Sequence, residues 1–242
     1  MAFLKSLLLL LTVKSVICED SLLQPCQRSD ITCLSQATEQ FLEKTHKGIK
    51  EYDIRPIDPL LIKSLTLVAD KDMGLSFYFT NLTVRGLKNQ TISDFQMDVT
   101  TKSVVLKTKA DLYIVGNIVI ELSKQSKSFN GVYTTQASVI GSASYNYDLK
   151  KDAQGVEHFD VGPETITCEV IAEPKATLSK ELSQALLNDA IAMENMSKYE
   201  ANKVQIHRET VCEIAKLAYI DVIHNIRASA KILPKSAFFI DI

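Results

Sequence analysis

Apolar and polar positions change rhythm three times along the chain. From Ser35 to Lys50, SQATEQFLEKTHKGIK repeats apolar residues at helical spacing through Ala37, Phe41, Leu42 and Ile49. A helix is expected there, with Gly48 as its stop. DIRPIDPLLIKSL follows, where Asp58 is placed to cap a short helix with Pro59 at its first position. From Leu65 to about Leu178, strand-like runs are joined by short polar turns, which predicts an antiparallel meander. SVVLKTKADLYIVGNIVIEL is long and β-branched, and Gly116 inside it predicts a bulge or bend. KDAQG reads as the hairpin turn before VEHFDVG. Residues 179–203 are polar and read as a short helix from Ser179, then a loop. From Val204 to Lys231 no Gly or Pro interrupts a helix roughly 40 Å long, which ends before Pro234. Its middle is apolar on most sides (Val211, Ile214, Leu217, Ile220, Ile223, Ile226), so it is expected to be buried. The simplest arrangement is α+β, with a sheet curled around this helix.

The segment VIGSASYNYD departs from an ordinary strand. Its polar face is Ile140, Ser142, Ser144, Asn146 and Asp148; its inward face is Val139, Gly141, Ala143, Tyr145 and Tyr147. A packed core places large residues opposite small ones. Gly141 and Ala143 leave space beside two phenols. The plain alternative is that Tyr145 and Tyr147 are strand tyrosines with their hydroxyls on backbone carbonyls.

Composition sets the compartment. Residues 1–18, MAFLKSLLLLLTVKSVIC, have an early lysine, a leucine run, and Val16 and Cys18 where a signal peptidase reads. The expected mature domain is 19–242. Cleavage after Cys18 leaves Cys26, Cys33, Cys168 and Cys212, an even set that implies two disulfides in an oxidising compartment. Three connectivities are open; the short Cys26/Cys33 and long Cys168/Cys212 loops are the natural pair. Asn81, Asn89 and Asn195 begin glycosylation sequons, and Asn195 lies in the stretch read as a loop. Without Lys5 and Lys14 the chain carries 25 basic and 29 acidic residues. No basic run of the kind nucleic acid needs is present, and no second apolar stretch of about 20 residues follows.

Motifs of catalysis are missing. The chain has no GxSxG, HExxH, CxxC or glycine-rich phosphate loop. His46, His158, His207 and His224 are scattered, and His207 and His224 stand too far apart on one helix to chelate one metal. No enzyme activity, metal or cofactor is expected.

Several stretches together resemble the insect takeout and juvenile hormone-binding family: the opening CQRSDITCLSQATEQFLEKTHKGIKEYDIRPIDPLLIKSL, then NLTVRGLKNQTISDFQMD and KTKADLYIVGNIVIEL, and the closing HNIRASAKILPKSAFF. Arg55 stands where the family often has tryptophan, and the chain has none. The resemblance covers nearly the whole mature chain. It implies a long helix wrapped by a strongly curved antiparallel sheet, like half of the tubular lipid-binding superfamily. It also implies a cavity for juvenile hormone, an epoxide-bearing methyl ester of a sesquiterpenoid acid, with the amino-terminal helix as gate. Tyr145 matches the position that the family suggests for hydrogen bonding the epoxide, with Tyr147 as neighbour. Alternation then nominates Val139, Ala143, Phe159 and Val161 as cavity walls, Phe41 and Leu42 as lid, and Phe238 and Phe239 as a further wall. The expected protein is a monomeric haemolymph carrier. The alternatives are a carrier of another apolar ligand such as a fatty acid or odorant, a secreted esterase or epoxide hydrolase, and a structural domain without a cavity.

Overall fold

The computed structural model describes residues 22–242. The signal segment 1–18 and its cleavage after Cys18 lie outside the described residues. In chain order come α1 (Ile31–Thr45), β1 (Leu60–Asp70), β2 (Leu75–Arg85), β3 (Thr91–Asp98), β4 (Ser103–Leu122), β5 (Lys127–Lys151), β6 (Glu157–Val170), β7 (Lys175–Leu178), α2 (Lys180–Asn188) and α3 (Ala190–Ile232).

The backbone of the sheet is one long hairpin. β4 and β5 pair without a register break from Ser103↔Asn146 to Leu122↔Lys127. On β4 every even position from Val104 to Leu122 is buried, which fixes the inward face over the whole strand. A strand of 20 residues is long enough to take two partners on one edge. β2 pairs with its later part (Tyr113–Leu122) and β3 with its earlier part (Ser103–Lys109). β5 repeats the arrangement on the other edge, with β7 at Tyr133–Gln136 and β6 at Val139–Lys151. The result is a single antiparallel sheet of order β1-β2-β4-β5-β6. The meander is therefore interrupted: β3 does not lie between β2 and β4. The irregularity expected at Gly116 falls on the facing strand, where Asn81 and Leu82 of β2 oppose this one glycine. A Cβ at Gly116 would lie 2.8 Å from the Leu82 side chain.

α3 packs against β6, β5 and β1, so the sheet curls round it from both edges. Val211, Ile214, Ala215, Ala218 and Ile223 are wholly buried, whereas Ile220 looks outward. The helix is longer than expected. It starts at Ala190, where the Asp189 carboxylate accepts from the amides of Ile191 (2.9 Å) and Ala192 (3.0 Å). Its first turns are polar and lack a one-sided apolar stripe, so they read as loop. The buried half supplies the nucleus, and propagation through them is cheap. Asn195 therefore stands in a helix and not in a loop, with its amide donating to Ile191 O at 2.9 Å. Asp58 does not cap a helix either. β1 begins directly after Pro59, and the Asp58 carboxylate instead accepts from Gly86 N and Lys88 N, both at 2.9 Å. Disulfides join Cys26 to Cys33 and Cys168 to Cys212; the second staples β6 to α3.

Candidate ligand-binding site

Curling a sheet round a helix leaves its two ends to be filled. At the carboxyl end of α3 the filling is incomplete, and a cavity of about 160 Å³ remains. Its floor is the inward face of β4 and β5 (Val104, Leu106, Thr108, Tyr145, Tyr147), flanked by β3 and β6. Its roof is α1. Leu34, Ala37 and Phe41 recur at three- and four-residue intervals, with Leu42 beside Phe41, so one stripe of that helix faces inward. Asp30 caps α1 by accepting from Cys33 N at 2.9 Å, and the Cys26–Cys33 bond ties the same turn to the preceding segment.

The carboxyl-terminal tail closes the remaining side. Cys26 N donates to Phe238 O and Ile240 N to Cys26 O, each at 3.1 Å, so the two ends of the domain pair like strands. Arg28 adds an ion pair with Asp241 at 3.1 Å. Phe238 and Phe239 then reach the cavity. Phe159 meets Tyr147, Phe238 and Phe239 edge-on at 5.2–6.0 Å, and Phe239 stacks on Phe95 at 5.7 Å.

Electrostatically the site is bare. Among the described residues no charged side chain lines it. The Tyr145 hydroxyl has no hydrogen-bond partner among the described residues, and burial holds its pKa well above the ordinary phenol value, so it stays a proton donor. Arg227 on α3 fixes the strand beside it: Nε donates to Val161 O (3.1 Å), Nη2 to Gly162 O (2.8 Å), and the guanidinium pairs with Glu164. There β6 carries its bulge, which shifts its alternation so that Val161 and Phe159 share the inward face with Tyr145 and Tyr147. None of the four histidines lines this cavity, and among the described residues no group of three or more His, Cys, Asp or Glu could hold a metal ion.

Eight expected residues therefore come together on one wall system: Phe41, Leu42, Tyr145, Tyr147, Phe159, Val161, Phe238 and Phe239. Val139 and Ala143 do not. Val139 is packed in the main core, and Ala143 lies under Leu106 and Ile223. The space beside Gly141 is also taken. A Cβ there would lie 2.1 Å from the Tyr219 ring, so this glycine admits a tyrosine from α3 and no ligand. Inward alternation on β4 and the helical stripes of α1 and α3 could have nominated Leu106, Leu34, Val222 and Ile226. Nothing in the pattern marks Gln90, a polar residue just ahead of β3.

A second cavity, of about 360 Å³, lies at the other end of α3. β2, β4, β5 and β7 form its floor, and α2 and the first turns of α3 cover it. Its wall includes Glu200, Lys203 and His207, the last bonded to Tyr199 at 2.8 Å. Burial raises Tyr133 in the same wall to about 12.

The fold, a long helix held in a curled antiparallel sheet, is shared with Takeout 1 of Epiphyas postvittana. That structure is 19% identical with a TM-score of 0.71, covering 90% of this chain and 99% of that one. The chain belongs to the haemolymph juvenile hormone binding protein family, whose sequence profile matches residues 6–141. It is 58% identical over 224 residues to the juvenile hormone-binding protein of Manduca sexta, covering 93% of this chain and 98% of that protein. Among the described residues no helix is long and apolar enough to cross a membrane.

Proposed function

We propose that this protein is a secreted, monomeric, non-catalytic carrier that holds juvenile hormone in the first cavity and shields its ester and epoxide from hydrolysis in haemolymph. The observation that carries this reading is an uncharged chamber closed by α1 and the tail, with one inward phenol whose proton has no protein acceptor. Tyr145 donates to the epoxide oxygen. Phe41 and Leu42 form the inner face of a lid that must lift for entry. A sesquiterpenoid burying on the order of 400 Å² gains roughly 10 kcal/mol gross at about 25 cal/mol/Å². Association costs remove several kcal/mol of that. Submicromolar affinity is thus within reach of shape and apolarity, and the hydrogen bond supplies discrimination. Asn81 and Asn89, both exposed, are the sequons proposed to carry glycans.

The test is a titration of secreted, disulfide-intact protein with labelled hormone, competed by the hormone acid, its diol and a long-chain fatty acid. Saturable submicromolar binding is expected, with acid and diol competing poorly and the hormone recovered intact. Best competition by the fatty acid would transfer the function to another apolar ligand, and turnover of the hormone would make the protein a hydrolase.

A further inference from the structure

The first cavity has two further polar atoms without a partner among the described residues, Ser229 Oγ on α3 and Gln90 Nε2. Gln90 lines it, is 2% exposed, and sits in the turn that leads into β3. Its carboxamide is held from one side only. Thr108 Oγ1 donates to Gln90 Oε1 at 2.9 Å, and Thr108 Oγ1 lies 2.6 Å from the Tyr219 hydroxyl. This chain of three polar groups fixes the amide plane between β3, β4 and α3. The other half of the amide, Nε2, has no partner among the described residues. A buried amide left half satisfied is costly and needs an explanation, which an unbound ligand site supplies.

Its position relative to Tyr145 narrows what the ligand must be. On β4, Val104 is the partner of Tyr145, and Gln90 bonds to Thr108, four residues further on. At about 3.3 Å per residue the backbone levels from which the two donors are held are roughly 13 Å apart along the sheet. α3 gives an independent measure. Tyr219 lies at the level of Thr108, and Arg227 lies at the level of Glu164, the partner of Tyr145. Eight residues of helix rise about 12 Å. Between the two levels the lining is apolar on the sheet side, where Leu106 lies between Val104 and Thr108.

We infer that Gln90 is the second polar anchor of the cavity, and that its Nε2 donates to the ester carbonyl of the ligand whose epoxide is held by Tyr145. The inference rests on the carrier reading above. About eight carbon atoms lie between the ester carbonyl and the epoxide ring in juvenile hormone, an extended reach of about 11–12 Å at ordinary bond lengths. The cavity therefore reads a distance between two acceptors as well as apolarity. A free acid would bring a carboxylate to an uncharged wall and lose its hydration there. A fatty acid or hydrocarbon of equal length would leave one or both donors unmet.

The test compares wild-type protein, Gln90→Met and Tyr145→Phe, with thermal midpoints as the folding control. Three ligands are titrated: the epoxy ester, the same ester without the epoxide, and the epoxide with its ester replaced by an alkyl group. Methionine keeps the length of glutamine without its donor, and Thr108 retains Tyr219 as partner. Gln90→Met is expected to weaken both esters about tenfold and the ester-free epoxide less than twofold. Tyr145→Phe should spare the ligand that lacks the epoxide. Equal losses for all three ligands, or none, in Gln90→Met would overturn the inference. A second readout needs no variant: the infrared stretch of the ¹³C-labelled ester carbonyl should fall on binding to wild-type protein relative to an alkane solution. An unshifted band would likewise sink the assignment. If wild-type protein fails to bind the epoxy ester at all, the carrier reading fails first, which separates the two ideas.

Discussion

The two cavities use the same two strands and the same helix, yet they are built differently. The first takes the earlier half of β4, the later half of β5 and the last turns of α3. The second takes the opposite halves and the first turns of α3. The second is the larger, at about 360 against 160 Å³. Its wall, however, carries Glu200, Lys203 and His207, groups that hold water, and Leu187 at its rim is 58% exposed. The first has no charged lining among the described residues, and a disulfide and the paired chain ends cross-link its roof. Affinity for an apolar ligand comes from area withdrawn from water, so the polarity of the lining is a better guide than volume.

The two disulfides offer the strongest way to break this contrast. Cys168–Cys212 closes 44 residues and ties β6 to α3; Cys26–Cys33 closes seven and ties only the roof of the first cavity. Chain entropy predicts that replacing the long bridge by serines lowers unfolding free energy by about 4 kcal/mol and the short one by about 2 kcal/mol. Hormone affinity should follow the reverse order, with the short-bridge variant losing about tenfold, roughly 1.4 kcal/mol, and the long-bridge variant less. Denaturant melts and titrations on both double variants check this. If affinity falls most without Cys168–Cys212, then the global grip of sheet on helix shapes the site, and the roof does not.

A matched pair on α3 comes next. Ile226 lines the first cavity and Met196 the second, and both are half-buried. Tryptophan at 226 would displace about 100 Å² of ligand contact, about 2.5 kcal/mol, or nearly a hundredfold in affinity. Met196→Trp should leave hormone affinity within about threefold. Loss of binding in Met196→Trp alone would move the hormone to the wrong end of the molecule.

Much of this architecture was legible because it rests on repetition. The even-position burial of β4 and the unbroken apolar middle of α3 force helix-in-sheet from pattern alone. The cavity lining was legible where it is aromatic and sits on regular elements, as with Tyr145, Tyr147 and Phe159. It misled where a small residue had two physical uses. Gly141 could admit a ligand or a side chain, and only the helix register that brings Tyr219 opposite decides between them. Val139 and Ala143 share the inward face with Tyr145, but cavity and core divide that face along its length, which alternation does not encode. Gln90 was invisible because its role depends on a partner, Thr108, on another strand. The polar start of α3 was missed because its helicity is inherited from the buried half of the same helix.

The smallest effect separates the ends by pH. His207 is half-buried in the wall of the second cavity, and burial, helped by Lys203, lowers its pKa below the usual 6.5, with Glu173 and Glu200 opposing. The folded state therefore favours neutral imidazole. Above about pH 6.5 neither state binds the proton, and stability from this group is fully present. As pH falls below that value the unfolded chain binds more protons than the folded one, and stability is lost. Because His207 is partly solvated, the loss should stay below about 1 kcal/mol, within about 2–4 °C in thermal midpoint. His207→Gln preserves a partner for Tyr199 without the titration. The midpoints of variant and wild type should run parallel from pH 7 to 8.5, and the wild type should fall faster below 6.5. Hormone affinity should stay flat across the same window, since no histidine or carboxylate lines the first cavity among the described residues. An affinity that follows the His207 titration would show the two ends to be coupled through α3 and would end the description of them as separate chambers.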